Sequence, residues 1–354
     1  MNRLNKYLCY GCIGLTLFMS SCIRDGQDPC PPSEPNEYYS YIRFVYDYNM
    51  AFEDLFHKQV SKIDLYLFDE DGVYIEKLAD ESPAGTTFPK GYIMGLPEAY
   101  KAATQFVAFP GIHSDHGYAT RMTPGISTIR DLKVQLHERD KNILDTSLKP
   151  LWHGAITQYH TRVNRDDTTT ISLTKNTNSL RIVLQSTADT TKFDINEFTF
   201  SLEAVNNTYD AYNMPGNEKW SYQPFLKENN GKNTGGVVEL HTLRLFDDRE
   251  NRLIIRHFPT LSTVLNINLN DYLDALKLQE YKRLSLQEYM DRECEYKLLI
   301  FLTPGPVNPD PDPNPDPDPD PDPDPDPDPE VKMGWIATQI SINEWVVRDQ
   351  PNEF

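Results

Sequence analysis

The 354-residue chain lacks a surplus of basic residues, and this excludes one broad class of partner. It has 34 lysines and arginines against 53 aspartates and glutamates, for a formal net charge of −19. Proteins that bind nucleic acid need clustered positive charge to neutralise phosphates, so no nucleic acid partner is predicted. Nine of the aspartates lie between Pro309 and Pro329. The rest of the chain is only moderately acidic, and its charge does not indicate a particular substrate.

The short motifs that mark many enzymes are also absent. The chain has no G-x-S-x-G elbow, no phosphate-cradling glycine loop and no H-E-x-x-H pair. His113-Ser114-Asp115-His116 contains metal-ligand residue types, but further ligands at a suitable spacing are not evident, so a polar loop is favoured. His153 is more typical of the end of a sheet than of a catalytic site. We therefore predict no enzyme activity, no metal, no cofactor and no small-molecule substrate.

Long apolar runs are missing too, and one short run, Ile13 to Met19, follows the positive charges of Arg3 and Lys6. This run is too short to span a bilayer and is typical of a signal peptide, predicted at residues 1–21. The end of the segment, Met19-Ser20-Ser21-Cys22, resembles a bacterial lipobox, in which the cysteine thiol receives a diacylglycerol through a thioether. The motif therefore predicts that Cys22 is the lipidated first residue of the mature chain. Two or three acyl chains on this residue would give a stable membrane anchor. The alternative is an ordinary secretory signal that leaves Cys22 unmodified.

Cysteine is scarce, with five residues in the whole chain. Cys9 and Cys12 leave with the signal peptide, and Cys22 carries the lipid. Cys30 and Cys294 remain as a possible disulfide, because an exported chain meets oxidising conditions. Two free thiols are the alternative.

Strand patterns begin after a polar, proline-rich leader at residues 22–37, which is typical of a flexible tether. Ile42, Phe44 and Tyr46 alternate with more polar residues, as expected of a half-buried strand. A second alternating run precedes Asp71-Gly72, and an Asp-Gly between two such runs is a strong hairpin signal. The spaced acids and closing glutamate of a calcium-binding loop are absent there.

The strand pattern restarts near residue 165. "NSLRIVLQS" and "EFTFSLEAVNNTYDAYN" repeat the order of strand, short connection, strand, turn and strand. This similarity predicts a mainly β chain of two related β-sandwich domains, at residues 38–164 and 165–354. One helical stretch is predicted around Tyr272, Leu273 and Leu276, which are spaced close to 3.6 residues per turn.

A proline-aspartate repeat at residues 309–329 interrupts the second half. Proline at every second position forbids helix and sheet ladders, and the aspartates repel one another, so an extended segment is predicted. After it, Ile336, Thr338 and Ile340 are predicted to share one face of a last strand. That strand cannot fold alone, so we expect it to pair with "YKLLIFLTPG" and leave the repeat as a loop. The alternative is that it docks on another molecule.

Taken together, these features resemble the FimB-type family of major and minor fimbrium anchor lipoproteins from Bacteroidales. The resemblance spans the mature chain and rests on the order of several segments: the lipobox at Met19 to Cys22, "CIRDGQDPCPP", "IRFVYDYNM", "IDLYLFDEDGVYIEKL", "LWHGAIT", "ISLTKNTNSLRIVLQ", "FTFSLEAVNNTYDAYN" and "ISINEWVV". The proline-aspartate repeat departs from the family pattern.

The resemblance implies two transthyretin-like β-sandwich domains in a protein at the base of a fimbrium. Such a protein is held in the outer membrane by its lipid, attaches the fimbrial shaft to the cell exterior and limits the length of the shaft. Ile23 is not the aspartate that retains a lipoprotein in the inner membrane, which agrees with this location. A strand from a shaft subunit that completes an open sheet edge would explain the attachment physically.

A surface lipoprotein that binds glycans is the alternative function. Exposed aromatic rings would act as stacking platforms, and the candidates are Tyr39, Tyr118, Tyr209, Trp220 and Tyr222.

Overall fold

The computed structural model describes residues 38–114, 117–137, 142–157, 168–188, 192–277, 281–307, 332–342 and 345–347. The predicted signal peptide, the leader and the proline-aspartate repeat lie outside these ranges. The described chain is mainly β, as the sequence predicts, and its strands form several sheets.

The strands have the following bounds: β1 Tyr38–Val45, β2 Lys62–Phe68, β3 Tyr74–Glu81, β4 Ile93–Pro97, β5 Gln105–Ala108, β6 Gly117–Ala119, β7 Lys133–Leu136, β8 Ile143–Leu144, β9 Trp152–Ile156, β10 Thr168–Ser172, β11 Thr174–Lys175, β12 Thr177–Ser186, β13 Phe198–Val205, β14 Thr208–Asp210, β15 Lys219–Tyr222, β16 Leu226–Asn229, β17 Gly235–Leu243, β18 Arg252–His257, β19 Ser262–Asn268, β20 Glu295–Val307, β21 Lys332–Ile342 and β22 Trp345–Val347. The helices are α1 Phe56–Gln59, α2 Leu269–Leu276 and α3 Leu286–Arg292.

The first sheets have the strand orders β10-β1-β4 and β11-β9-β5-β2-β3. The alternating residues predicted to face inward do so: Ile42 and Phe44 of β1 share an apolar cluster with Leu65 and Leu67 of β2. Strands β2 and β3 form the predicted antiparallel hairpin. Gly72 in the turn has a φ of 77°, a backbone conformation that glycine adopts without steric penalty.

A second group of sheets has the orders β16-β17-β12-β20-β21-β22, β19-β18-β13-β15-β8 and β14-β7-β6. Inward residues of β12, β13, β18 and β20 form a large apolar cluster, which includes Leu180, Phe200, Ile255 and Leu298. Strands of the six-stranded and the five-stranded sheets contribute to this one cluster, which is consistent with a β-sandwich.

The predicted boundary at residue 165 does not separate the two groups of sheets. Strand β10 pairs in parallel with β1 and β11 pairs with β9, so the first group continues to Lys175. In the other direction, β8 pairs with β15 and β7 pairs with β14. The tandem transthyretin-like arrangement stays a prediction.

The predicted helical stretch contains two short helices rather than one. The amide oxygen of Asn268 accepts from the backbone N–H of Asn270 at the start of α2, and the hydroxyl of Ser285 accepts from the N–H of Glu288 at the start of α3. Both are capping interactions that favour a new helix start.

The last strands pair within the chain, which confirms the predicted partner. Strand β21 runs antiparallel to β20, with Ile340 opposite Ile300 and Trp335 opposite Pro304. The register shifts at Thr338, where a β-bulge adds one residue. Because a single extra residue reverses the side-chain alternation, Ile336 is exposed whereas Ile340 is buried. The prediction that they share one face is therefore wrong.

Candidate binding edge at strand β21

Strand β21 forms much of one edge of the six-stranded sheet. Its outer neighbour, β22, pairs only with residues Ile340 to Ile342. Between Lys332 and Gln339, the backbone pairs with β20 alone among the described residues. Outward-facing N–H and C=O groups of such a segment form a template for another strand.

Two close contacts fix the course of β21. The indole of Trp335 is 5% exposed and packs against Phe193, with the ring centroids 5.6 Å apart and the planes at 72°. At Gly334, a Cβ would lie 2.6 Å from Cγ2 of Val307 and 3.1 Å from Oγ1 of Thr260. Glycine therefore allows β21 to approach both β20 and the turn after β18.

Four exposed apolar side chains lie on β21 and on the turn after β18. Strand β21 contributes Met333 and Ile336, which are 68% and 43% exposed, and the turn after β18 contributes Phe258 and Leu261, which are 69% and 55% exposed. We call these four residues the β21 corner. Gly334 lies close to Thr260, so the two segments that carry these side chains are neighbours in the fold, and exposed apolar patches mark interaction sites.

The turn that carries half of the β21 corner is held by a buried polar network. Nδ1 of His257 lies 2.8 Å from Oγ1 of Thr260, which in turn lies 2.7 Å from Oγ of Ser262. Burial lowers the pKa of His257, and Glu197 opposes this effect in part. The carboxylate of Glu197 is 3.5 Å from Nε2, too far for a good hydrogen bond. These buried hydrogen bonds hold the turn beneath its exposed apolar residues.

Among the predicted cysteine sites, Cys22 and Cys30 lie outside the described residues. Cys294 is half-buried immediately before β20, and Nζ of Lys175 donates to its sulfur at 3.4 Å. Burial raises the pKa of the Cys294 thiol. Lipidation of Cys22 and the Cys30–Cys294 bridge stay predictions.

Four of the five aromatic residues predicted as stacking platforms are buried, so this prediction is wrong for Tyr39, Tyr209, Trp220 and Tyr222. Trp220 and Tyr222 are two residues apart on β15 and point into the core together. That spacing is itself the signature of one buried strand face. Tyr118 differs, because 38% of it is exposed.

The histidines considered as ligands or catalytic residues can be located only in part. No group of three or more His, Cys, Asp or Glu side chains in the described ranges could hold a metal ion. Asp115 and His116 lie outside those ranges. His153 is buried, with Nε2 3.0 Å from the carbonyl oxygen of Ala211. Of the helices described, none is long and apolar enough to cross a membrane.

Several solved structures are similar to this chain. A candidate polysaccharide-binding protein from Bacteroides thetaiotaomicron is 30% identical, with a TM-score of 0.68 over 88% of this chain and 98% of that one. A candidate adhesin from the same organism is 26% identical, with a TM-score of 0.68 over 89% and 99% of the two chains. The fimbrial anchor protein Mfa2 from Porphyromonas gingivalis is 16% identical and has the same fold, with a TM-score of 0.63 over 88% and 99%.

Sequence comparison gives the family. No curated protein matches the chain. A protein-family profile described as fimbrillin-A associated anchor proteins Mfa1 and Mfa2 matches residues 28–351. This match confirms the resemblance to fimbrium anchor proteins that the sequence motifs indicate. The chain therefore belongs to the family of fimbrillin-A associated anchor proteins.

Proposed function

We propose that this protein is the lipid-anchored base of a fimbrium, and that it receives the last shaft subunit as a strand added to the outer edge of β21. The observation that carries the proposal is the unpaired stretch from Lys332 to Gln339 in a chain of the anchor family. A shaft strand would form main-chain hydrogen bonds with this edge, and its apolar side chains would cover the β21 corner.

The cis pairing of the last strands supports a terminating role. Strand β21 is already bonded along its inner side to β20 of the same chain. In the proposed arrangement it accepts a strand along its outer side, because its pairing with β20 leaves it unavailable for insertion into a further subunit. A subunit that accepts but does not donate ends a polymer, which is how an anchor would limit shaft length.

Attachment to the outer membrane follows from the predicted lipid on Cys22. A single acyl chain binds a bilayer only marginally, whereas two or three bind stably, at about 0.8 kcal/mol per buried methylene. The leader at residues 22–37 would then separate the folded strands, which begin at Tyr38, from the membrane surface.

A pair of variants tests the lipid anchor. Cys22→Ala cells should release fimbriae, together with this protein, into the medium, because no thioether can form. Cys30→Ala is the matched control, since it removes a nearby cysteine of the leader and leaves the lipobox intact. Fimbriae that stay fully cell-bound in the Cys22→Ala strain would contradict the anchor mechanism.

A second pair of variants tests whether a strand is added to the outer edge of β21. Ile336→Asp places a carboxylate in the β21 corner, where an added strand would bury it without a partner. Recovery of fimbrial protein with the tagged chain after surface cross-linking should fall by about tenfold or more, which corresponds to about 1.4 kcal/mol. Ile93→Asp is the matched control, because Ile93 is 41% exposed on the edge strand β4. Equal recovery from both variants would contradict strand addition at β21.

A further inference from the structure

The small sheet β14-β7-β6 has one face on the core and one face in solvent. Tyr118, Gln135 and Thr208 lie opposite one another in a single row across its three strands. Side chains alternate along each strand, so Tyr209 and Val134 of the neighbouring row are buried on the core side. Tyr118 and Gln135 therefore share the solvent face, where the Gln135 amide donates to the Tyr118 hydroxyl.

A cleft of about 370 Å³ lies on this solvent face. The loop from Met214 to Glu218 forms its opposite wall, and Trp220 lies at its base. Small-molecule sites typically enclose roughly 300–1,000 Å³, so the cleft has room for a compact ligand. Its polar lining residues are Lys133, Gln135, Asn207, Thr208, Asp210, Asn217 and Glu218.

Two of the lining residues each have a polar side-chain atom that is buried without a hydrogen-bond partner among the described residues. These atoms are the amide oxygen of Asn207 and the indole Nε1 of Trp220. Asn207 is 9% exposed and Trp220 is 2% exposed. An unpaired buried group of this kind costs about 1–3 kcal/mol. One is an acceptor and the other a donor, and a hydroxyl group can satisfy either.

Other cleft side chains are held in place by their own hydrogen bonds. Oε2 of Glu218 accepts from Nδ2 of Asn207 at 3.0 Å. Oδ1 of Asp210 accepts from the backbone N–H groups of Tyr212 and Met214 at 2.8 and 2.9 Å. Each carboxylate keeps lone pairs for further donors. Such pre-positioned groups give a ligand directional partners without a large loss of side-chain entropy.

The chemistry of the lining selects among ligand classes. One lysine and two carboxylates give the cleft a net charge of −1 at neutral pH, which disfavours anionic ligands. The lining amides and carboxylates favour a ligand with many hydroxyl groups, since hydroxyls both donate and accept. Tyr118 lies beside Gln135 at the border of the cleft and is 38% exposed, and its ring is tilted against that of His137 with the centroids 5.0 Å apart. A Tyr ring offers rigid apolar contact with a polar tip.

We propose that this cleft binds a neutral oligosaccharide, with Tyr118 as the ring against which a sugar packs and Gln135, Asp210 and Glu218 as hydrogen-bond partners. The site lies on a sheet that does not contain β21. The proposal is therefore independent of the shaft-binding edge, and either one can fail alone.

Titration calorimetry of the full-length chain with defined trisaccharides tests the proposal. The probes are the neutral gluco-, manno-, galacto- and xylo-trisaccharides and the anionic galacturonic acid trisaccharide. At least one neutral probe should bind at millimolar concentration or below, and Tyr118→Ala and Gln135→Ala should each weaken that binding by about tenfold. Phe52→Ala is the matched control, because Phe52 is an exposed aromatic residue outside the cleft, and it should leave binding unchanged.

Three results would overturn the proposal. The first is that no neutral probe binds at concentrations up to several millimolar. The second is binding that survives both Tyr118→Ala and Gln135→Ala, since the ligand would then lie elsewhere. The third is tighter binding of the galacturonic acid probe than of every neutral one, which would contradict the charge argument.

Discussion

Substitution of Trp335 by alanine tests whether the last strand is an integral part of the fold. Trp335 lies on β21, beyond the proline-aspartate repeat, and its indole is 5% exposed. It packs edge-on against Phe193 at 5.6 Å and at a tilt against Phe198 at 6.4 Å. If β21 packs against the other strands of its own chain, then removal of the indole leaves a cavity in the main apolar cluster.

The size of the effect follows from the burial and the packing. Truncation of a buried Phe or Trp to alanine typically costs about 3–5 kcal/mol, because transfer free energy is lost and the cavity relaxes only in part. The two aromatic contacts place Trp335 in the upper half of this range. We therefore expect Trp335→Ala to lower the free energy of unfolding by about 4 kcal/mol.

Urea unfolding followed by far-UV circular dichroism measures this change. Met333→Ala is the matched control: Met333 lies two residues away on the same strand and is 68% exposed, so its substitution should change stability by less than about 0.5 kcal/mol. A loss below about 1 kcal/mol for Trp335→Ala would refute the packing argument. In that case β21 would not be bound to its own chain, and the terminating role would lose its basis.

Three further perturbations test other parts of the fold. Burial lowers the pKa of His153 from 6.5 to about 4. The stability that comes from neutral His153 is therefore fully present above pH 6.5, and about 3 kcal/mol of it should be lost as the pH falls from 6.5 through 4. Urea unfolding measured as a function of pH should show this loss in the unchanged chain and not in His153→Gln. Gly334→Ala should destabilise the chain by about 1–3 kcal/mol in thermal unfolding, because its Cβ would lie 2.6 Å from Val307; an unchanged melting temperature would contradict the close strand approach. Asp291→Ala should lower the free energy of unfolding by about 3–5 kcal/mol, since the buried carboxylate accepts from Nε and Nη2 of partly buried Arg244 at 2.6 Å each. Partial recovery of stability in Arg244→Met/Asp291→Ala would confirm that the unpaired charge is the cause.

Sequence predicted the local features of the first half well. The alternation of Ile42 and Phe44, and the Asp71-Gly72 turn, depend only on neighbouring residues and on the two-residue period of a strand. The pairing of β21 with β20 was also predictable, because a single last strand has few candidate partners. The strand alternation and the turn are fixed by short-range physical chemistry.

Features that depend on distant parts of the chain were not predictable. The bulge at Thr338 reverses the faces of β21, and nothing in the local pattern signals it. The crossing of strands over residue 165 depends on pairings such as Ser221 with Ile143, which are remote in sequence. The candidate site has the same character, since Thr260 and Gly334 come from separate segments that approach each other only in the folded chain. By contrast, the burial of Trp220 and Tyr222 could have been inferred from their two-residue spacing.

Photo-cross-linking on intact cells tests the central claim most directly. A photoreactive residue at position 336 lies in the β21 corner, and the same residue at position 93 lies on the edge strand of another sheet. We expect position 336 to cross-link to the shaft subunit of a cell-bound fimbrium and position 93 not to do so. Cross-linking of the shaft from position 93 but not from position 336 would contradict the claim that β21 is the edge that holds the fimbrium.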